Sequence, residues 1–487
     1  MPDRHERREP AACETGPEGL RWRRIGCHSL VPPGELHSCR IANTRHPDSV
    51  ISLRVLSAKF GKRLGPHGKR AITLITGAST TQLITLAIAP ILTRLYSPSD
   101  YGILAIFGAI AAILTAVAAG RYTVAIMLPA NDHDAVQVTG LALFLAAFVS
   151  VFLFLLVPFA IWLLDGVSMI HSLGGWLYLV PVAVFLGSTF ESLGYFSLRK
   201  DKVGQLAGAR VLKSAISGGT QVSLGFIGTG VSGLLGGALL GLATGNTRLI
   251  RIYAHSLRAY PVEWPRMKSM AARYSNFPKY ELWASLANTL AFSGFVIGVG
   301  LIFESHAVGQ YALAYRFTTL PSALLGVAIG QVYLREAARL VNSPASALRA
   351  FYRAAAILAG LSVVPLIVIG LWGPTLFGLI FGSEWNLSGI YAAAMMPLVW
   401  ARFVASPLSS VFHIYGKQRI LLAFQIMLLS LVVATMLTAF NLEWSLQRLL
   451  LVQSFLLGGF YVLLLLGARR TIVRSAAREL SAESPAQ

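Results

Sequence analysis

"VGQYALAYRFTTLPSALLGVAIGQV", residues Val308 to Val332, decides how this chain is read. The stretch is almost wholly apolar. As a helix rising ~1.5 Å per residue it is long enough to cross ~30 Å of hydrocarbon. Yet Arg316 sits inside it. A charge within a spanning helix costs at least ~2.5 kcal/mol on insertion scales, so this guanidinium calls for a partner or a ligand.

The stretch is one of twelve long apolar runs: 71–93, 101–119, 135–160, 174–197, 204–226, 228–247, 281–303, 308–333, 350–375, 387–413, 420–440 and 446–468. The 487 residues are 55% hydrophobic and only 13% charged, with a mean hydropathy of +0.63. Soluble domains carry about 25% charged residues. Runs this long argue for helices, because barrel strands show weaker alternating segments of ~10 residues. The expected fold is an all-α integral membrane protein.

The formal charge of +20 does not indicate nucleic acid, because of where the charge lies. Beyond residue 70, most Lys and Arg fall in alternate loops and the C-terminal tail: Arg199, Lys200 and Lys202, the cluster from Arg248 to Lys279, Arg335, Arg339, Lys417, Arg419, and Arg469 to Arg478. The opposite loops hold only Arg94 and Arg448. That is the positive-inside bias, and it predicts cytoplasmic N- and C-termini. Trp162, Trp176, Trp372, Trp385 and Trp444 fall at outer run ends, as an aromatic belt would.

Residues 1–66 mix Pro, Gly, Arg and Glu without an apolar run, which predicts a disordered basic extension or a mis-assigned start. Cys13, Cys27 and Cys39 all lie there, so the membrane part has no thiol for a disulfide. Their spacing with His28 and His37 fits no standard zinc pattern, and no metal or other cofactor is expected.

The chain reads as a duplication. "YGILAIFGA" parallels "VGQYALAYRF", pairing Gly102 with Gly309 at an offset of 207. "YFSLRKDK" parallels "VFHIYGKQ" at an offset of 216, and "LLGGALLGLATGNTRLI" from Leu234 parallels "LLGGFYVLLLLGARRTI" from Leu456 at 222. Six plus six spans give a parallel repeat about the membrane normal, with a central cavity between two lobes. The expected domains are 67–252 and 281–470, joined by a cytoplasmic linker at 253–280 and followed by a tail at 471–487.

Run five, "VGQLAGARVLKSAISGGTQVSLGF", places Arg210, Lys213, Ser214, Ser217, Thr220 and Gln221 at three- and four-residue steps, hence on one helix face. Such a stripe predicts a water-facing surface, although Arg210 could also snorkel to the inner end. Arg402 lies deep in "MMPLVWARFVASPLSSVF", Arg121 closes run two, and Asn288 adds polarity to run seven. Glu191 is the one acidic residue well inside a run; it could pair with Arg210 or Lys213, or couple transport to protons. A cationic interior predicts an anionic ligand, and the planar fork of Arg suits phosphate.

"ILTRLYSPSDYGILAIF" followed by "RYTVAIMLPANDHDA" resembles the opening of bacterial O-antigen and polysaccharide flippases. So do "VGQYALAYRFTTLPSALLGVAIGQVYLREA" and "FGSEWNLSGIYAAAMMPL...SPLSSVF". These belong to the multidrug/oligosaccharidyl-lipid/polysaccharide exporter superfamily. The resemblance implies a twelve-span inner-membrane flippase that moves undecaprenyl-diphosphate-linked oligosaccharide outward by alternating access, for O-antigen, lipopolysaccharide or exopolysaccharide synthesis. It implies a cationic cavity, to which Arg316, Arg210, Lys213, Arg402 and Arg121 are assigned by position, with Ser217, Gln221 and Asn288 as its polar lining. A polysaccharide polymerase and chain-length machinery are the implied partners. The competing readings are a drug or cation antiporter, which would want buried carboxylates, and a membrane glycosyltransferase or polymerase, for which Asp100 is the outer-loop carboxylate in position.

Overall fold

The computed structural model describes residues 66–163, 166–340 and 343–482, and the expectations for residues 1–65 and their cysteines lie outside these. The described residues form helices and no strand. The long helices are α1 (Pro66–Leu95), α2 (Pro98–Ala118), α3 (Asp132–Leu163), α4 (Val180–Arg199), α5 (Val203–Phe226), α6 (Val231–Ala259), the shorter α7 (Trp264–Arg273), α8 (Leu282–Ile302), α9 (Ser305–Pro321), α10 (Val327–Arg339), α11 (Pro344–Phe381), α12 (Asn386–Leu408), α13 (Gln418–Asn441) and α14 (Leu446–Ala482). A π-helical turn, Ser322–Gly326, joins α9 to α10.

Eight helical stretches are long and apolar enough to cross a membrane: 98–118, 132–163, 169–199, 277–302, 345–381, 383–408, 419–441 and 446–474. The chain is therefore a multi-pass membrane protein. Phe148, Phe152 and Leu155 on α3 and Leu379 on α11 are exposed, as lipid-facing side chains would be. The other long stretches, α1, α5, α6 and α9–α10, carry more glycine and polar residues, and in α5 and α6 these face each other. On α6, Gly237, Gly241 and Gly245 lie at four-residue steps along the backbone of α5. A Cβ at Gly241 would stand 2.6 Å from the Lys213 carbonyl oxygen, so this small-residue stripe sets how near the two helices come.

Helices α1 to α6 pack chiefly among themselves, as do α8 to α14. The main junction between the sets is α2 against α8 and α9. There, a Cβ on Gly102 would strike the carbonyl oxygen of Ser305, and a Cβ on Gly309 would strike that of Pro98. Residues 98 and 305 differ by the same 207 as 102 and 309, so each helix meets its counterpart through the same residues. The contact is thus self-complementary, each helix offering the other a glycine and a carbonyl oxygen.

Other groups seal the same end. Trp385 is fully buried and its indole N–H donates to the Thr93 carbonyl at 2.9 Å. Tyr101 packs edge-on against it at 5.1 Å. Trp385 thus plugs a helix junction and does not join the aromatic belt, whereas Trp162 and Trp372 are exposed. Asp100 is spent on a capping box: its carboxylate accepts from the Ser97 N–H at 3.0 Å and the Ser97 hydroxyl at 2.8 Å, which starts α2. The 253–280 segment is structured. Helix α7 packs on α3, with Arg266 bound to Asp134 at 2.8 Å and Tyr122 donating its hydroxyl to the Ala271 carbonyl at 3.0 Å.

The glycine contact carries a direct test. Gly102→Ala or Gly309→Ala must push two backbones apart and should cost about 1–3 kcal/mol or more. Gly108→Ala on the same helix meets open space and should be neutral or slightly stabilising. Melting temperatures of the purified variants distinguish the two outcomes.

Candidate functional site

Two cavities open within the bundle, both using α8 as a wall. The first, about 510 Å³, lies between α2, α4, α5 and α6, with Ser285 and Thr289 contributed by α8. Its charged members are Arg121, Glu191 and Lys213. The second, about 540 Å³, is enclosed by α8, α9, α10, α12, α13 and α14. Its one charged residue among those described is Arg402.

In the first cavity, Arg121 sits on a left-handed turn made by Gly120 (φ 56°) and Arg121 (φ 59°). The turn ends the α2 segment and aims the guanidinium back under it. Arg121 lies 3.6 Å from Glu191 on α4 and 3.7 Å from Glu281 at the start of α8. It therefore ties the first set of helices to the second. Glu191 finds its partner in Arg121, not in Arg210 or Lys213. Lys213 instead has its ammonium 5.0 Å from the centre of the Phe190 ring and has no carboxylate partner among the described residues.

In the second cavity, the Arg402 guanidinium lies over Phe292, its central carbon 4.0 Å from the ring centre, and donates to the Tyr315 hydroxyl at 2.9 Å. Tyr311 stacks on Tyr315 at 5.8 Å, and Phe295 packs edge-on to Tyr311 at 5.2 Å. An aromatic wall suits Arg because a guanidinium is planar and weakly hydrated. No carboxylate among the described residues neutralises Arg402.

The structure thus distributes the expected cavity set. Lys213, Arg121 and Glu191 come together, and Arg402 lies apart from them. Arg210 is half-buried and lines neither cavity. Arg316 is exposed on α9, two turns past Gly309 on the same helix face, and so looks toward the junction with α2. Asn288 is exposed. Ser217 and Gln221 face α6: the Gln221 side-chain amide donates to the Leu234 carbonyl at 2.9 Å, while the Gln221 backbone carbonyl accepts from the Tyr96 hydroxyl, just past α1, at 2.6 Å. The polar stripe of run five is therefore partly helix–helix adhesive. Sequence reasoning missed Glu281 and the aromatics. Tyr311 and Tyr315 were visible as an i, i+4 pair within the stretch that holds Arg316.

With this geometry in place, comparison with known proteins is informative. Residues 91–389 match the polysaccharide biosynthesis protein family, and the chain belongs to it. Among solved structures it resembles an inward-facing multidrug resistance MATE family transporter of the MOP superfamily (16% identity, TM-score 0.58, 84% of this chain and 99% of the other). It also resembles the lipid II flippase MurJ in an inward closed conformation (10% identity, TM-score 0.60, 84% and 90%) and the Vibrio cholerae MATE transporter VcmN (12% identity, TM-score 0.53, 84% and 96%). These likenesses place the fold with the transporters and flippases of that superfamily, as the sequence resemblance implied. No curated relative matches the chain in sequence at a significant level.

The Arg121 tie predicts a pattern of stabilities. Arg121→Gln leaves Glu191 and Glu281 without their cation and should cost about 0.2–1 kcal/mol. Adding Glu191→Gln to Arg121→Gln should recover part of that loss, whereas two independent sites would simply add. Thermal unfolding of the single and double variants measures this.

Proposed function

We propose that the chain carries an undecaprenyl-diphosphate-linked oligosaccharide from the cytoplasmic to the periplasmic leaflet of the bacterial inner membrane, for surface polysaccharide synthesis such as O-antigen. In this reading all twelve long helical stretches span the membrane, as two parallel six-helix lobes with both termini in the cytoplasm. The seal at Gly102, Gly309 and Trp385 is the periplasmic gate. The cations then face a cleft that opens to the cytoplasm, where the lipid-linked substrate is made. Transfer follows when that gate parts and the opposite end closes, with the lipid tail left in the bilayer and the headgroup passing between the lobes.

The observation that carries the reading is the pair of cations, Lys213 and Arg402, that line cavities without an acidic partner among the described residues. An uncompensated cation in a low-dielectric site favours an anionic ligand. Lys213, with Arg210 near it on the same helix, is assigned to the diphosphate, and Arg121, paired with Glu191 and Glu281, to the frame. Arg316 is assigned to the path of that headgroup across the junction. Family membership supports a glycan cargo. A drug or cation antiporter is less well supported, since Glu191, the acid inside a run, is engaged by Arg121. The chain itself performs no covalent chemistry in this reading and hands its cargo to a polymerase and chain-length machinery.

In a host deleted for its own flippase, Lys213→Gln should lower surface polysaccharide about tenfold or more and accumulate lipid-linked oligosaccharide facing the cytoplasm. Lys213→Arg should restore part of it. The same assay on Arg316→Gln and Arg316→Lys tests the headgroup path. Normal export by the Lys213→Gln protein at equal expression would refute the assignment.

A further inference from the structure

The Arg402 cavity has a composition unlike that of a diphosphate site. It holds one guanidinium and no second cation among its lining residues. Among its apolar walls stand six rings: Phe292, Phe295, Tyr311, Tyr315, Phe403 and Tyr461. The face of an aromatic ring carries negative charge density, so it attracts the weakly positive C–H face of a sugar ring. Arg402 spends one of its five N–H groups on Tyr315. That bond leaves the Tyr315 hydroxyl proton free to donate.

A second, independent feature points to a ligand. Gln453 lines the same cavity and is 5% exposed, yet its amide has no hydrogen-bond partner among the described residues. The amide opens onto the cavity, where its two N–H donors and its carbonyl are available to whatever enters. The cavity therefore offers an unpaired amide, a free phenol proton and guanidinium N–H groups beside apolar ring faces. Its volume, about 540 Å³, falls within the usual range for small-molecule sites. Ser406, one turn past Arg402, and Leu334 are exposed at its rim, so the cavity has a mouth. The π-helical turn Ser322–Gly326 forms part of the wall, and such turns recur at functional sites.

We propose that this cavity binds an acidic sugar of the transported glycan, its ring against the aromatic wall, its carboxylate on Arg402 and its hydroxyls on Gln453 and Tyr315. The inference rests on the glycan-flippase reading and adds to it a second subsite, specific for part of the oligosaccharide. The two cavities lie along one helix, with Thr289 in the first and Phe292 in the second. Ala291, between them, also lines the second, so the nearest lining positions are ~3 Å apart along the axis of α8, close enough for one extended substrate to occupy both.

The test uses the full chain in lipid nanodiscs and two probes, a hyaluronan tetrasaccharide and the same tetrasaccharide with its carboxylates reduced to alcohols. Saturation-transfer NMR reads binding. The proposal predicts binding of the acidic form, at least about tenfold weaker binding of the reduced form, and the same loss for the acidic form with Arg402→Gln. Arg402→Lys should retain part of the affinity. Equal binding of the two sugars, or undiminished binding by Arg402→Gln, overturns the site. Displacement of the tetrasaccharide by inorganic pyrophosphate would assign the cavity to phosphate and likewise overturn it. Pyrophosphate that binds these nanodiscs while neither sugar does would refute the sugar subsite and leave the flippase reading intact.

Discussion

Two backbones meet at Gly102 and Gly309 with no room for a methyl group between them. The rest of the structure depends on that contact. It joins the two sets of helices at one end through equivalent residues, so neither set can tilt without moving about the same point. From there α2 and α9 run toward the opposite end, where Arg121 makes the other tie, to Glu191 and Glu281. The two ties differ in kind. One is a glycine fit that excludes water, and the other is a partly exposed ionic contact of modest strength that can break and re-form.

The charges follow from the same arrangement. Arg121 is neutralised by two carboxylates and belongs to the frame. Lys213 and Arg402 are held by aromatic rings in place of acids. A ring favours a nearby cation without cancelling its charge, so the cation remains available to an anion from outside. The proposed assignment of structural and ligand-directed cations follows this difference in partners and not depth in the membrane.

Much of this was legible in the sequence. The apolar runs fixed the helical class, and the 207-residue offset already paired Gly102 with Gly309. What it could not show was that this pairing is a physical contact, because offset arithmetic relates positions and says nothing of distance. Hydropathy marks helices that face lipid. It does not show that the glycines and polar groups of α5 and α6 face each other. Residues spaced on one face, such as Lys213, Ser217 and Gln221, read as a single surface, yet a glycine-striped neighbour covers part of it. Arg402 and Lys213 lie on different helices, so one cavity or two could not be decided before the packing was known. The partner of Glu191 depends on a left-handed turn at Arg121, which is unusual for a residue with a side chain and leaves no periodic signal.

The central claim is that this fold moves a lipid-linked glycan between leaflets. The most direct measurement reconstitutes the purified chain in liposomes containing a fluorescent undecaprenyl-diphosphate-linked oligosaccharide and follows its accessibility to a membrane-impermeant glycosidase. The account predicts that glycan on the protected leaflet becomes cleavable only when the protein is present, and that an unlabelled lipid-linked glycan competes. Glycan that stays protected, while the same liposomes accumulate a cationic dye, would contradict it.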